Sequence, residues 1–139
     1  MGRILGLDVG DKTIGVAVSD ELRWTAQGVM TLKRENAKQD LAALVQLVET
    51  YAAEKVVVGL PKNMNNSLGE QAEKVLKFVK SLEAQLGNIP VTLWDERLST
   101  ATADKVLISA DLSRKKRKRV VNTLAAVIIL QGYLDSQAP

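Results

Sequence analysis

The spacing of apolar residues predicts an α/β domain, a mixed five-stranded sheet flanked by helices, on three observations. Two apolar runs open the chain on either side of a short turn. Runs of strand length then alternate with amphipathic runs of helical length. One later run, 55–60, is hydrophobic at almost every position, as suits a parallel strand covered on both faces.

Residues 3–9 and 13–19 read as a hairpin of buried strands around Asp11 and Lys12. Residues 24–32 supply a third strand through Thr25, Val29 and Thr31, with Trp24 filling the core or its edge. Leu41, Leu44, Val45, Val48 and Tyr51 recur at helical spacing, and Asn36 with Gln39 is placed to cap that helix. The strand at 55–60 stops at Pro61. Ser67 and Glu70 have capping-box spacing ahead of a second helix, whose stripe of Ala72, Val75, Leu76, Val79, Leu82 and Leu86 ends near Gly87. Residues 91–94 form a last strand, with Trp94 in or beside the core, leading into Asp95, Glu96 and Arg97. Ser99 or Thr100 caps a third helix to about Ile108, and a final helix runs from about Val120 to Leu134 with Val121, Leu124, Ala125 and Ile128 facing the core. No linker, repeat or low-complexity tract divides 1–139, so one domain is expected.

Composition narrows the chemistry. The chain has no Cys and no His, which excludes a thiol nucleophile, a Ser-His-acid triad, a Cys/His zinc site and an imidazole base. Carboxylates, Lys, Arg, hydroxyls or a hard cation held by oxygen remain. The net charge is only +3, but Arg114, Lys115, Lys116, Arg117, Lys118 and Arg119 are consecutive. Such a block is either a solubilising loop or a contact for phosphates. With neither a secretory pattern nor an 18-residue apolar run, a cytoplasmic location and no membrane partner are expected.

Polar groups at the carboxyl ends of parallel strands share one rim. Asp8 lies near the end of the first strand, beside glycines that leave room for a phosphate, and Asp95 and Glu96 end the last. Asp8 alone could equally cap a turn, the role expected of Asp11 and Asp20. Without imidazole, converging carboxylates serve best as ligands for Mg2+ or Mn2+, which activate water against a phosphodiester. A glycosidase also uses paired acids, but that chemistry leaves the basic block unexplained. Adjacent side chains on an extended segment face opposite ways, so only one of Asp95 and Glu96 readily serves a given metal, and the other is free to hold Arg97 or backbone amides. Lys62, in the turn-rich loop after Gly59, and Arg97 are secondary phosphate contacts, with an internal salt bridge the rival reading of Arg97.

The segments Leu7-Asp8-Val9-Gly10, 13–20, Val58-Gly59-Leu60-Pro61-Lys62-Asn63-Met64, Trp94-Asp95-Glu96-Arg97-Leu98-Ser99-Thr100 and 125–131 occur in order over nearly the whole chain. Together they resemble the YqgF/RuvX family of Holliday junction resolvases, also described as pre-16S rRNA nucleases. The segment 95–100 is the most specific match. The Asp-x-Gly strand is shared more widely, with ribonuclease-H-like proteins and actin-like ATPases.

The resemblance implies a ribonuclease H-like fold and a cytoplasmic nuclease in 5′-end processing of the 16S rRNA precursor, with DNA junction resolution as the alternative. It implies Asp8 and Glu96 as the first and second metal-binding acids, with Asp95 as the second choice beside Glu96. The family's third acid falls at Asn122, which keeps an oxygen ligand but brings no charge. Weakened catalysis, with nucleic-acid binding retained, is therefore a competing expectation. The partner expected is nucleic acid, a structured RNA precursor ahead of a DNA junction, bound by a monomer or a homodimer. Phosphotransfer is disfavoured because the related ATPases enclose nucleotide between two lobes; an ordinary scaffold whose rim acids cap turns is the plainest rival.

Overall fold

A computed structural model describes residues 2–62, 65, 67–99 and 114–138, without the side chains of 98, 99 and 114–122. Five strands, β1 (Ile4–Val9), β2 (Thr13–Ser19), β3 (Ala26–Lys33), β4 (Lys55–Leu60) and β5 (Val91–Asp95), form one sheet in the order β3-β2-β1-β4-β5. β1, β4 and β5 are mutually parallel, while β2 runs antiparallel to both β1 and β3. The predicted mixed five-stranded sheet is thus the one observed.

Alternation along β1 divides the core in two. Leu5, Leu7 and Val9 pack with Val56 and Val58 beneath α1 (Ala37–Thr50) and α2 (Glu70–Leu86), which supply Leu41, Leu44, Val48, Val75, Val79 and Leu82. Ile4 faces the other way with Ala17 and Val57, against Ala126, Ile129, Leu130, Tyr133 and Leu134 of α3 (Arg114–Gln137). Each fully buried Leu or Val contributes roughly 1.5–3 kcal/mol.

Local signals act where expected at two helix ends. Asn36 Oδ1 accepts the Gln39 N–H at 2.9 Å and caps α1. Gly87 ends α2 with φ +63°, a conformation that costs glycine nothing.

Several expectations are corrected. The residue before α2 is Gly69, without a side-chain cap, and the Ser67 hydroxyl instead bonds Asn65 Oδ1 at 2.6 Å. Trp24 is not in the core: it is 74% exposed on the β2–β3 turn. Trp94 does line the α3 cluster, edge-on to Tyr133 at 6.1 Å. The last helix starts at Arg114 rather than near Val120, so the basic run is its first part and not a loop. Lys and Arg are strong helix formers, and the firmly packed second half of α3 offsets their mutual repulsion. The buried face of α3 is also rotated from the expected stripe, with Ala126, Ile129 and Leu130 buried and Ala125 exposed. Residues 120–130 are apolar around most of the helix, so spacing alone does not choose a face. The helix expected from Ser99 or Thr100 to Ile108 lies outside the described residues, apart from Ser99, which closes a 3-10 turn at Glu96–Ser99.

Candidate metal and nucleic-acid site

Three parallel strands end at one rim, and the register aligns their last residues. Leu7 pairs with Val58, and Gly59 and Leu60 pair with Trp94 and Asp95. A Cβ at Gly6 would meet Leu130 and the Ala126 carbonyl, so Gly6, and Asp8 two residues on, face α3. A Cβ at Gly59 would lie 2.6 Å from Glu96 Oε1 and against Ile129. Glu96 therefore reaches back over β4 on the face that Asp8 occupies, through space that only glycine leaves open.

The electrostatics follow from that meeting. Burial raises the Asp8 carboxyl above its ordinary range. Burial, then the charge of Asp8, then that of Asp95 push Glu96 up to about 7. Among the described residues neither group has an ion pair or a hydrogen bond. Two half-buried carboxylates of like charge, with no cation between them among the described residues, fit a hard divalent ion, whose charge would remove their repulsion.

Asp95 goes elsewhere. Its Oδ1 accepts the Arg97 backbone N–H at 3.0 Å, and its two oxygens take Arg97 Nε at 3.1 and 3.0 Å and Nη2 at 2.6 Å. These bonds, led by the side-chain bonds from Arg97, hold Asp95 below the usual carboxylate range. Asp95 ties down the turn that carries Glu96, and Arg97 is engaged as its clamp, the internal salt bridge expected as the rival reading of Arg97. Lys62 lies close enough for its charge to act on Asp95. Asn63, Met64 and Asn66 of the loop beyond it lie outside the described residues.

α3 reaches the same rim with its first half. Ile129 lies against Gly59 late in β4, whereas Tyr133 receives a 2.8 Å bond from Lys55 Nζ at its start, so α3 runs antiparallel to β4. The backbone of Asn122, one turn before Ala126, therefore lies toward the carboxyl ends of the strands, and Arg114 to Arg119 continue beyond it. Among the described residues no group of three acidic side chains is assembled.

Glycines beside Asp8 also serve the fold. Gly6 lets α3 approach, and the Gly10 N–H closes the β1–β2 turn on Thr13 O at 2.9 Å. Asp20 is a turn residue as expected, its Oδ1 accepting the N–H groups of Trp24 and Thr25. Sequence reasoning passed over the steric part of Gly59 and the contacts that Arg34 and Asp40 make behind the β1–β2 turn; neither a strand glycine nor a charge ahead of a helix carries a sequence signal for such a role.

Residues 2–136 match the RuvX family, described as Holliday junction resolvase. This chain is a member of the RuvX family. Its relatives include proteins named "Putative pre-16S rRNA nuclease" from Desulforamulus reducens, 54% identical over 98% of both chains. Those of Heliobacterium modesticaldum and Clostridioides difficile are each 59% identical, over 98% and 96% of this chain and 91% and 94% of theirs. Among solved structures, RuvC of T. thermophilus with a Holliday junction substrate has a TM-score of 0.62 at 14% identity, covering 99% of this chain and 96% of that one. The fowlpox virus Holliday junction resolvase has a TM-score of 0.57 at 16% identity, covering 98% and 99%. At such identities the likeness shows the fold, and this RuvX chain has the ribonuclease H-like fold of those resolvases. No described helix of it is long and apolar enough to cross a membrane.

Proposed function

We propose that this RuvX protein is a divalent-metal-dependent nuclease that hydrolyses phosphodiester bonds in 5′-end processing of the 16S rRNA precursor in the cytoplasm. The observation that carries the reading is that Glu96, laid over Gly59, comes within reach of the Asp8 charge, two carboxylates from distant segments of the chain that repel each other without a cation. RNA as the substrate rests on the name its relatives carry.

Asp8 and Glu96 would hold Mg2+ or Mn2+, with the amide oxygen of Asn122 as a third donor from α3. A divalent ion there supplies charge that activates water and steadies the leaving oxygen. Glu96, at about 7, is only about half ionised near neutral pH, so a cation held there would displace part of a proton. Asp95 and Arg97 fix the turn that aims Glu96. Arg114 to Arg119 grip the sugar-phosphate backbone without reading bases, and Lys62 adds positive charge at the end of β4.

Asn122 favours a second reading, nucleic-acid binding with slow cleavage, because the described residues assemble only two acids where three would hold metal more firmly. The test is cleavage of a 5′-extended 16S precursor and of a four-way DNA junction, side by side with Mn2+, by wild type and Asp8→Ala. The expected result is Mn2+-dependent trimming of the RNA that Asp8→Ala lacks while still melting cooperatively. Equal cleavage by Asp8→Ala contradicts the site, and cleavage of the junction alone contradicts the substrate.

A further inference from the structure

Behind the site lies a buried carboxylate paired with a partly exposed guanidinium, which the mechanism above does not use. Asp40, in the first turn of α1, is 3% exposed. Its Oδ1 accepts the Glu35 N–H at 2.9 Å and its Oδ2 accepts Arg34 Nε at 3.0 Å. The same guanidinium donates through Nη1 to the Gly10 carbonyl at 2.9 Å and stacks on Phe78, 5.2 Å from the ring centre. The Arg34 backbone N–H bonds the Lys12 carbonyl at 2.9 Å.

A buried ion pair is a poor source of stability, since apolar side chains of similar volume serve as well or better. What this pair does is geometric. β1–β2 pairing ends at Val9 and Ile14, and the turn beyond has one internal bond, from Gly10 N–H to Thr13 O. Arg34 takes hold of that turn at Gly10 and Lys12, on either side of Asp11, and Gln71 Nε2 touches the Val9 carbonyl at 3.4 Å. Asp8 stands two residues ahead of Gly10, so the pinned turn sets the end of β1 from which its carboxylate projects.

We infer that Arg34, held by Asp40, is a positioning residue for Asp8 that preorganises the cation site through the β1–β2 turn. The inference rests on the metal-binding reading of Asp8. Partners behind metal ligands commonly change affinity about 10–100-fold, and a fork that spans a carboxylate and a carbonyl has no lysine equivalent.

The test uses Arg34→Lys and the double variant Arg34→Met/Asp40→Asn, which removes both charges of the pair while leaving an oxygen for the Glu35 N–H. Mn2+ affinity is measured by calorimetry on the full chain, beside wild type and Asp8→Ala, with thermal melts and amide exchange at Gly10. The inference expects a cooperative melt, faster exchange at Gly10, and Mn2+ affinity lower by about tenfold in both variants. Wild-type affinity in the folded double variant overturns it. Should Asp8→Ala bind Mn2+ as wild type does, or wild type bind none, the metal-binding reading fails and takes the inference with it; affinity lost by Asp8→Ala and kept by the Arg34 variants sinks the inference alone.

Discussion

Replacing Glu96 with Gln keeps the shape that fits over Gly59 and deletes the charge that repels Asp8. The folded Glu96 carboxyl sits at about 7 against an ordinary 4.5. With the folded value raised, the folded protein keeps the proton longer than the unfolded chain does. Wild type therefore carries no penalty from this group below about 4.5, loses stability as pH rises from there to about 7, and carries the full penalty above. At 1.36 kcal/mol per pH unit that interval sets an upper bound of about 3 kcal/mol. Glu96 is half in water, and screening reduces the figure to roughly 1–2 kcal/mol. At pH 8 in EDTA, Glu96→Gln should be more stable than wild type by that amount, raising the melting temperature by about 3–8 °C, and the two should converge at pH 4. Urea unfolding followed by circular dichroism at both pH values measures it. Adding Mg2+ at pH 8 should stabilise wild type far more than the variant. A variant no more stable at pH 8, or equally favoured at pH 4, refutes the reasoning.

Gly59→Ala puts a methyl group 2.6 Å from Glu96 Oε1 and against Ile129, so it should cost about 1–3 kcal/mol of stability and lower Mg2+ affinity, checked by paired melts and titrations. Asn122→Asp adds the charge the pair lacks and should raise both Mn2+ affinity and the cleavage rate, read by calorimetry and single-turnover kinetics, with RNA affinity in EDTA unchanged. Neutralising Arg114, Lys116 and Arg119 together should weaken RNA binding and flatten its dependence on salt by about two to three in slope, read by fluorescence anisotropy across a salt series.

Much of this architecture was written in local patterns. The opening hairpin, the cap at Asn36 and the stop at Gly87 follow from alternation, side-chain reach and backbone freedom, each of which involves a few neighbouring residues. The contrast between Asp95 and Glu96 arises differently from the expected alternation on an extended segment: the strand ends at Asp95, Glu96 opens a 3-10 turn, and Arg97 takes the Asp95 carboxylate. Contacts between distant segments were not. Gly59 matters through the room it leaves for Glu96, and a missing side chain gives no sign of what fills its place. Arg34 and Asp40 look like ordinary surface charges around a helix start, and only the packing of α1 beside the β1–β2 turn buries Asp40 and brings Arg34 onto Gly10. The start of α3 is not legible locally, because six adjacent cations repel one another and the anchoring that offsets this comes from Ile129, Leu130 and Leu134 further along the helix. Residue type suggests the core or its edge for Trp24, whereas its position on a turn decides its exposure.

The most direct test follows the side-chain carboxyl carbon resonances of Asp8 and Glu96 by NMR while Mg2+ is added at neutral pH. Both signals should move along one binding curve, and the Glu96 titration midpoint should fall from about 7 toward the ordinary carboxylate range. Signals that stay still, or that move with separate affinities, contradict a cation shared by the two acids.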